Sequence, residues 1–230
     1  MKNEKTKGVQ MIISTANEKG GSGKNNIALN LAIKLSLLKE DSLLIDSDPQ
    51  NSIRVFNDIR ASKELPLAFT SVSILGNSLA SQVKNLKQKY QSILIDTGGR
   101  DNEDTRLAIS LSDILIIPTT PSDFDIAVLN KMINLFIQMK VFNPNLKAFI
   151  VISKASPNPF LQSKIKDLKE YIEAKELEDL KLCQSVLYER EAYRTSVSNG
   201  LGILEYCKKE DKAFRDFEAF FEELVEFAKA

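Results

Sequence analysis

Apolar and polar residues are arranged along this chain in blocks of two kinds. Short, continuously apolar runs, such as residues 9–16, 42–46 and 92–96, alternate with longer segments in which apolar residues recur every three or four positions. The continuous runs are typical of strands buried on both faces, and the longer segments predict helices. Repeated strand–helix units predict an α/β fold with three layers, a doubly wound, mostly parallel sheet with helices on both faces.

The same pattern predicts the remaining elements. Further strands are expected at residues 67–72, 114–117, 148–152 and 182–187, and Pro118 is expected to end the strand at residues 114–117. Helices are expected at residues 27–38, 51–61, 79–86, 126–137 and 165–172, and near the end of the chain. Because no stretch resembles a linker, residues 1–230 are expected to form one domain, preceded by a short polar lead-in at residues 1–8.

Composition excludes several kinds of chemistry. The chain has 230 residues and no histidine, which removes imidazole bases, His–metal sites and Ser-His-Asp triads. Lys+Arg and Asp+Glu are both 31, so nucleic-acid binding would need a local basic patch. Cys183 and Cys207 have no metal-binding spacing and fit a reducing cytoplasm. No apolar run approaches the ~18 residues of a membrane span, and secretion is not expected.

Residues 17–26 lie between the first predicted strand and helix and are rich in glycine. In that context the backbone N–H groups of the turn and the positive end of the helix bind phosphate. Lys24 is expected to reach the β- and γ-phosphates as a mobile charge. The predicted nucleotide-binding residues of this segment are Glu18, Lys19, Gly20, Gly21, Ser22, Gly23, Lys24, Asn25 and Asn26, with the Glu18 side chain pointing outward.

Carboxylates end two of the predicted strands. Asp96 closes an apolar strand in the manner of a Walker B acid, a residue that holds Mg²⁺, and Gly98 and Gly99 follow it. Asp46 and Asp48 end the other strand, where both can face a cation or one can position a water molecule. The alternatives are an aspartate that caps a surface turn and an Asp-Pro turn that leads into a helix.

Four segments together resemble the deviant Walker A ATPases of the ParA/MinD group, which are P-loop NTPases of the SIMIBI type. They are residues 19–24, 46–50, 93–97 and 117–122, and residues 190–193 with 199–200 are similar to the end of partition ParA proteins. The resemblance extends from about residue 11 to the last helix. The length is similar to that of the small, ParF-like partition ATPases.

The resemblance implies a switch in which two subunits sandwich two ATP molecules, with ATP or ADP and Mg²⁺ as cofactors. It implies that Lys19 reaches across to the partner's phosphates, that Lys24 binds phosphates in its own subunit, and that Asp48 orients the hydrolytic water. It further implies metal roles for Asp46, Asp96 and the residue at position 25, and adenine contacts near Ser153 and Lys154. In this family the dimer binds DNA without sequence preference, in the cytoplasm on the nucleoid, and a small ParB- or ParG-like centromere-binding protein stimulates hydrolysis.

The sequence departs from the family at Asn25 and Asn26, where the family has Thr-Thr. An amide oxygen lies one bond further out than a hydroxyl, and Mg²⁺ demands nearly ideal octahedral geometry. We therefore expect ATP or ADP to bind through the backbone amides and Lys24, with weakened coupling to Mg²⁺ and impaired hydrolysis.

The end of the chain carries a predicted amphipathic helix with an apolar stripe formed by Phe214, Phe217, Phe221, Leu224 and Phe227. The predicted DNA-binding residues are Arg190, Arg194, Lys208, Lys212 and Arg215, and a solvated basic face is the alternative. The second half of the helix is acidic, which opposes the membrane binding of the MinD branch.

Three functions stay open at this point. The first is a DNA-segregating ATPase, and the second is a nucleotide-binding positioning or scaffold protein that hydrolyses little ATP and has no DNA role. The third is a biosynthetic ligase of the dethiobiotin synthetase kind, which shares the P-loop but has no need of Lys19.

Overall fold

The computed structural model describes residues 11–230, and the predicted polar lead-in lies outside them. One sheet contains seven strands in the order β3-β2-β4-β1-β5-β6-β7, and every neighbouring pair is parallel. The strands are Met11–Thr15 (β1), Ser42–Ser47 (β2), Thr70–Ser73 (β3), Ser92–Thr97 (β4), Ile114–Thr119 (β5), Lys147–Ala155 (β6) and Leu180–Tyr188 (β7). The predicted three-layer α/β fold with a doubly wound sheet is confirmed.

Helices connect the strands and cover both faces of the sheet. They are Lys24–Leu37 (α1), Ser52–Ser62 (α2), Ser78–Leu86 (α3), Glu103–Ser110 (α4), Asp123–Lys140 (α5), Gln162–Glu173 (α6), Glu191–Ser198 (α7), Ile203–Tyr206 (α8) and Lys212–Lys229 (α9). A short 3₁₀ turn, Pro159–Leu161, precedes α6. No helix within residues 11–230 is both long enough and apolar enough to cross a membrane.

The core lies in two layers, because alternate residues of each buried strand point to opposite faces of the sheet. On one face Leu44, Leu94 and Ile116 pack against α1, α2, α8 and α9. On the other face the strands pack against α3, α4, α5 and α6. Every residue of β2, β4 and β5 is buried, which explains why these strands are continuously apolar in sequence.

Strand β5 does not stop at residue 117 as predicted, since it continues through Pro118 to Thr119. A proline is tolerated in a strand only where its missing N–H has no ladder partner. Strand β1 ends at Thr15, before the level of Pro118, and the Pro118 carbonyl accepts a hydrogen bond from the Asn17 side chain instead (2.6 Å). The proline therefore removes no hydrogen bond between β1 and β5.

The last helix follows its predicted pattern with one addition. Phe217, Phe221, Leu224 and Phe227 are buried, and Phe220, absent from the predicted stripe, is also fully buried. Phe227 stacks on Phe149 of β6, with ring centroids 5.1 Å apart. Helix α9 thus closes one face of the sheet beside β6 and β7.

Candidate nucleotide-binding site

Three neighbouring central strands end at one edge of the sheet and bring the predicted site together. In the sheet register Asp96 of β4 lies beside Asp46 of β2 on one side and beside Thr15 of β1 on the other. The glycine-rich loop follows β1 directly, so it meets both acidic segments at this edge. Parallel strands direct their carboxyl ends to the same edge, which is why ligands bind there in such sheets.

The glycine-rich loop has the backbone of a phosphate-binding turn. Gly21 and Gly23 have φ values of 77° and 101°, a region of backbone conformation in which residues other than glycine are strained. Lys24 begins α1 and is almost fully buried, and its Nζ donates a hydrogen bond to the Lys19 carbonyl (3.2 Å). Burial lowers the pKa of Lys24, whereas the charges of Asp96 and Asp48 oppose that shift.

Two side chains hold this loop in place, Asn17, which sequence reasoning did not select, and Ser153, which it did. Asn17 donates to the Pro118 carbonyl and accepts a hydrogen bond from the Lys19 N–H (2.8 Å). Ser153, at the end of β6, donates its hydroxyl hydrogen to the Ser22 carbonyl (2.6 Å). Ser153 was predicted near the adenine, and the structure gives it a role in bracing the loop.

Lys19 lies at the front of the loop with 43% of its side chain exposed. Its Nζ lies 2.7 Å from Asp125 Oδ1, in the first turn of α5, and Asp125 also accepts a hydrogen bond from the Thr120 hydroxyl. Burial raises the pKa of Asp125, but hydrogen bonds from Lys19 and Thr120 outweigh it and the net shift is downward. The Glu18 side chain, which was expected to point outward, is 24% exposed and lies 3.7 Å from Lys131 of α5.

Asp96 is completely buried. Its Oδ1 accepts a hydrogen bond from the Thr15 hydroxyl (3.2 Å), and its Oδ2 is buried with no hydrogen-bond partner in the described chain. Burial, together with the neighbouring charge of Asp46, raises the pKa of Asp96 to about 8. A buried carboxylate oxygen without a partner is a position where a cation or its bound water is favourable.

The other two carboxylates shape the turn after β2. Asp46 accepts the N–H groups of Asp48 (3.1 Å) and Ile53 (3.2 Å), and burial raises its pKa despite these bonds. Asp48 accepts the Gln50 N–H (2.9 Å) and lines the cleft beside Gly98. Asp46 therefore anchors the loop that carries Asp48, while Asp48 faces the space where a nucleotide would lie.

The two asparagines that replace the family's threonines differ in their contacts. Asn25 is half-buried and lines the cleft. Asn26 also borders the cleft, but its amide oxygen accepts a hydrogen bond from Asn30 (2.9 Å), whose own oxygen accepts the Ile203 N–H (2.7 Å). Asn26 thus belongs to a polar chain that ties α1 to α8. Asn25 stands at the position for which the resemblance implies a metal ligand.

A cleft of about 910 Å³ continues from the loop toward β7 and α7. Lys154 lines it with a φ of 50°, at an irregularity in the pairing of β6 with β7. Tyr193 and Arg194 of α7 line the far end. Its lining extends from the loop to α7, which fits a nucleotide with its phosphates at the loop.

The donor set fits Mg²⁺ held largely by phosphate and water. Within residues 11–230 no three His, Cys, Asp or Glu side chains are grouped to hold a metal ion by themselves. Mg²⁺ commonly keeps several waters and binds through one or two carboxylates plus substrate phosphates. Asp96, with its partnerless Oδ2, and Asn25 would lie toward the ion, which would supply charge neutralisation at the phosphates.

The predicted DNA-binding residues do not form one uniform patch. Arg190 lies 2.6 Å from Asp216, with both side chains largely buried, and its guanidinium also covers the Tyr188 ring. Arg194 is exposed and paired with Glu189 (2.9 Å). Three exposed basic side chains have no ion pair within the described part of the chain: Lys208, Lys212 and Arg215.

The glycine-rich loop, the buried lysine and the strand-end carboxylates define a P-loop nucleotide-binding protein. The family model for the CobQ/CobB/MinD/ParA nucleotide binding domain matches residues 13–203, and the chain belongs to this family. It is 24% identical over 217 residues to the maintenance of carboxysome distribution protein A of Halothiobacillus neapolitanus, covering 93% of this chain and 95% of the relative.

Solved structures agree with the fold. An McdA variant from Cyanothece in complex with ATP matches with a TM-score of 0.72 and 18% identity, covering 95% of this chain and 97% of the other. A plasmid partition protein from Borrelia burgdorferi matches with a TM-score of 0.64 and 21% identity, covering 95% and 99%. At these identities the likeness concerns the fold alone.

Proposed function

We propose that this protein is an ATP-dependent partition ATPase that switches between a monomer and an ATP-bound dimer. In this proposal the dimer binds DNA without sequence preference, and a small ParB- or ParG-like protein that binds the centromere stimulates hydrolysis. Hydrolysis then returns the protein to the monomer and releases the DNA.

The observation that carries this proposal is the position of Lys19. Lys24 already supplies a buried cation for phosphates in the same subunit, whereas the Lys19 side chain is 43% exposed at the front of the loop. A second, exposed lysine at this position is suited to the phosphates of a nucleotide held by another copy. The dethiobiotin synthetase alternative gives no reason for this lysine.

Hydrolysis in this proposal uses residues that line the cleft or border it. Asp48 orients the attacking water, Lys24 stabilises charge on the phosphates, and Asp96 and Asp46 support the Mg²⁺ shell. The amide of Asn25 weakens that shell, so slow turnover is expected. These roles are supported by the burial of Lys24 and Asp96 and by the place of Asp48 in the lining of the cleft.

DNA binding in this proposal relies on Lys208, Lys212 and Arg215, because these cations have no carboxylate partner in the described chain. Arg190 contributes little to phosphate binding, since Asp216 already neutralises it in a largely buried pair. The patch is smaller than the sequence predicts, which limits both affinity and the salt dependence of binding.

The second candidate is a positioning protein that moves a cellular assembly and hydrolyses little ATP. The relative named for maintenance of carboxysome distribution, which matches along 93% of this chain, favours it. The neutralised Arg190 also favours it, because a smaller basic patch suits a protein without a DNA role.

The experiment measures binding of a fluorescent DNA duplex of arbitrary sequence with ATP and Mg²⁺, with ADP, and without nucleotide. The first function predicts binding only with ATP, and loss of that binding in Lys19→Ala. Lys131→Ala is the matched control, since Lys131 is an exposed lysine on α5 whose ion pair within residues 11–230 is with Glu18. ATP-dependent dimers that ignore DNA support the positioning function, and no ATP-dependent dimer at all contradicts both.

A further inference from the structure

Arg100 occupies a position beside the P-loop that the reaction as proposed above does not use. It follows Gly98 and Gly99 at the carboxyl end of β4, and it lines the same cleft as Gly20, Lys24 and Asp48. A side-chain carbon built on Gly99 would lie 3.6 Å from Lys24 Nζ and 3.7 Å from the Gly20 backbone. The segment that leads into Arg100 therefore packs directly on the phosphate-binding loop.

The guanidinium of Arg100 is available for a ligand. The adjacent carboxylate, Asp101, is already held by Arg106 in a two-pronged ion pair (2.8 Å and 2.6 Å). Within residues 11–230 the Arg100 side chain has no hydrogen-bond or ion-pair partner. Asp101, the neighbouring carboxylate that would most easily neutralise Arg100, is thus already paired with Arg106.

The backbone of Arg100 is fixed although its side chain is not. Its carbonyl accepts a hydrogen bond from the Thr105 hydroxyl (3.0 Å). The next turn is capped by Asn102, whose side chain accepts the Thr105 N–H (2.8 Å). The start of α4 therefore holds the peptide of Arg100 beside the cleft while the exposed side chain keeps its freedom to turn.

The phosphate end of the site needs a further cation. The negative charges of Asp96 and Asp48 already interact with the positive charge of Lys24, the buried lysine of the loop. Lys19 already forms an ion pair with Asp125. A triphosphate adds several negative charges at this point. An arginine presents its N–H groups in a planar fork that matches phosphate oxygens, and such charge-assisted bonds are stronger than neutral ones.

We propose that Arg100 binds the terminal phosphate of the nucleotide held in its own subunit, and so distinguishes a nucleoside triphosphate from a diphosphate. This inference rests on the proposed function, because it requires a nucleotide in the cleft. It adds a phosphate-sensing residue to the segment that follows the Walker B aspartate. Gly98 and Gly99 give that segment the freedom to follow the phosphate.

The test is calorimetric titration of AMPPNP and of ADP, each with Mg²⁺, into the full chain and into Arg100→Ala and Arg100→Lys. Arg100→Ala is expected to weaken AMPPNP binding about 10- to 100-fold, the usual worth of a charge-assisted hydrogen bond, while ADP binding stays within about twofold. Arg100→Lys keeps the charge without the fork and is expected to lose less. The matched control is Arg54→Ala, which removes an exposed arginine of α2 in a loose 3.9 Å ion pair outside the cleft.

Each outcome separates the inference from the function on which it rests. If the parent chain binds neither nucleotide, the proposed function and the inference both fail. If the parent binds both and Arg100→Ala leaves the AMPPNP-to-ADP preference unchanged, nucleotide binding stands and the role of Arg100 is overturned. A loss seen only at protein concentrations where light scattering detects a dimer overturns the assignment to the same subunit. Should Arg100→Ala fail to fold by circular dichroism, the preference measured on Arg100→Lys decides.

Discussion

Lys19 Nζ and Asp125 Oδ1 form an ion pair of 2.7 Å that joins the front of the P-loop to the first turn of α5. Asp125 is 95% shielded from solvent on its side chain, whereas Lys19 remains 43% exposed. In the proposed dimer Lys19 has to reach the phosphates of the partner. The pair with Asp125 therefore opposes dimerisation, and Lys19 must leave it when the ATP-bound dimer forms.

Asp125→Asn is expected to strengthen the ATP-dependent dimer. The amide retains hydrogen bonding to Thr120 and removes the charge that holds Lys19. An ion pair with one exposed partner is worth about 0.2–1 kcal/mol, so the dimer dissociation constant should fall by up to about fivefold. Analytical ultracentrifugation with AMPPNP measures it.

Glu18→Gln is the matched control for that measurement. It removes a second, longer ion pair between the loop and α5, to Lys131 at 3.7 Å, without touching Lys19. Its dimer dissociation constant should equal that of the parent chain. A weaker dimer in Asp125→Asn would mean that the aspartate orients Lys19 for the partner and does not restrain it.

Asn25→Thr is expected to raise Mg²⁺-dependent ATP turnover. It restores a hydroxyl where Asn25 lines the cleft, and the buried Oδ2 of Asp96, which has no partner in the described chain, is the other proposed contact of the Mg²⁺ shell. Groups that position a metal typically change affinity or activity 10- to 100-fold, so an increase of about tenfold is reasonable. Phosphate release measures the rate, and equal rates in the two proteins would contradict the expectation.

Asn26→Thr separates the two asparagines. Its side chain accepts a hydrogen bond from Asn30 within the polar chain that reaches Ile203. We expect this variant to lower the melting temperature and to leave turnover unchanged. A rise in turnover from Asn26→Thr alone would show that its contact with Asn30 restrains the site.

The sequence was sufficient to predict the centre of the sheet and the segments that form the site. Strands that end in Asp46 and Asp96 are visible as apolar runs, and the glycines around Lys24 identify the loop between β1 and α1. Parallel strands bring such ends to one edge whatever the detailed order. These local patterns therefore determined the fold class and much of the site.

Contacts that depend on the order of the strands could not be predicted in this way. Asp125 meets Lys19 because β5 lies next to β1, a neighbour relation that no local pattern specifies. Ser153 reaches the loop from β6 for the same reason. Helix α4 was missed although Asn102 and Thr105 form a cap at its start, because its apolar pattern is only two turns long. The ion pair of Arg190 with Asp216 could not be predicted either, because the two residues are distant in sequence.

Gly200→Ala is expected to destabilise the fold strongly. Gly200 has a φ of 69°, and a side-chain carbon there would lie 2.8 Å from the Arg60 Cα and 3.1 Å from its nitrogen. The left-handed backbone costs about 1–2 kcal/mol for alanine, and the clash with backbone atoms adds about 1–3 kcal/mol. Arg60 is buried and binds the Gly200 carbonyl and Glu205, so it has little room to move.

Gly76→Ala isolates the backbone contribution, because Gly76 has the same φ of 69° but nothing within 4 Å of the added carbon. Urea unfolding should give it a loss of only about 1–2 kcal/mol. Similar losses in the two variants would indicate that the contact with Arg60 relaxes at no cost. The difference between them measures how tightly α2 packs on the turn before α8.

Glu223→Gln is expected to destabilise the edge of the sheet. Edge strand β7 carries two extra residues between its pairings with Ile150 and Ile152 of β6. The Glu223 carboxylate accepts the N–H groups of Gln184 and Ser185 there, both at 2.7 Å, and the Ser185 hydroxyl. Losing the charge should cost about 1–2 kcal/mol, toward the low end for charge-assisted bonds because Glu223 is partly exposed.

The loss in Glu223→Gln should also depend on pH. Burial raises the pKa of Glu223, but the hydrogen bonds from Ser185 and Gln184 outweigh it, and the pKa lies below the ordinary 4.5. A carboxylate with a lowered pKa stabilises the fold above its unfolded pKa and loses that contribution as the pH falls through its folded pKa. Urea unfolding should therefore show a constant difference between parent and variant from neutral pH to about pH 5, shrinking below pH 4.5. Glu222→Gln changes the exposed neighbour on α9 and is the control, which should show no such difference. If the difference in free energy of unfolding between the parent and Glu223→Gln stayed constant into acid, a charged acceptor at the edge of β7 would be ruled out.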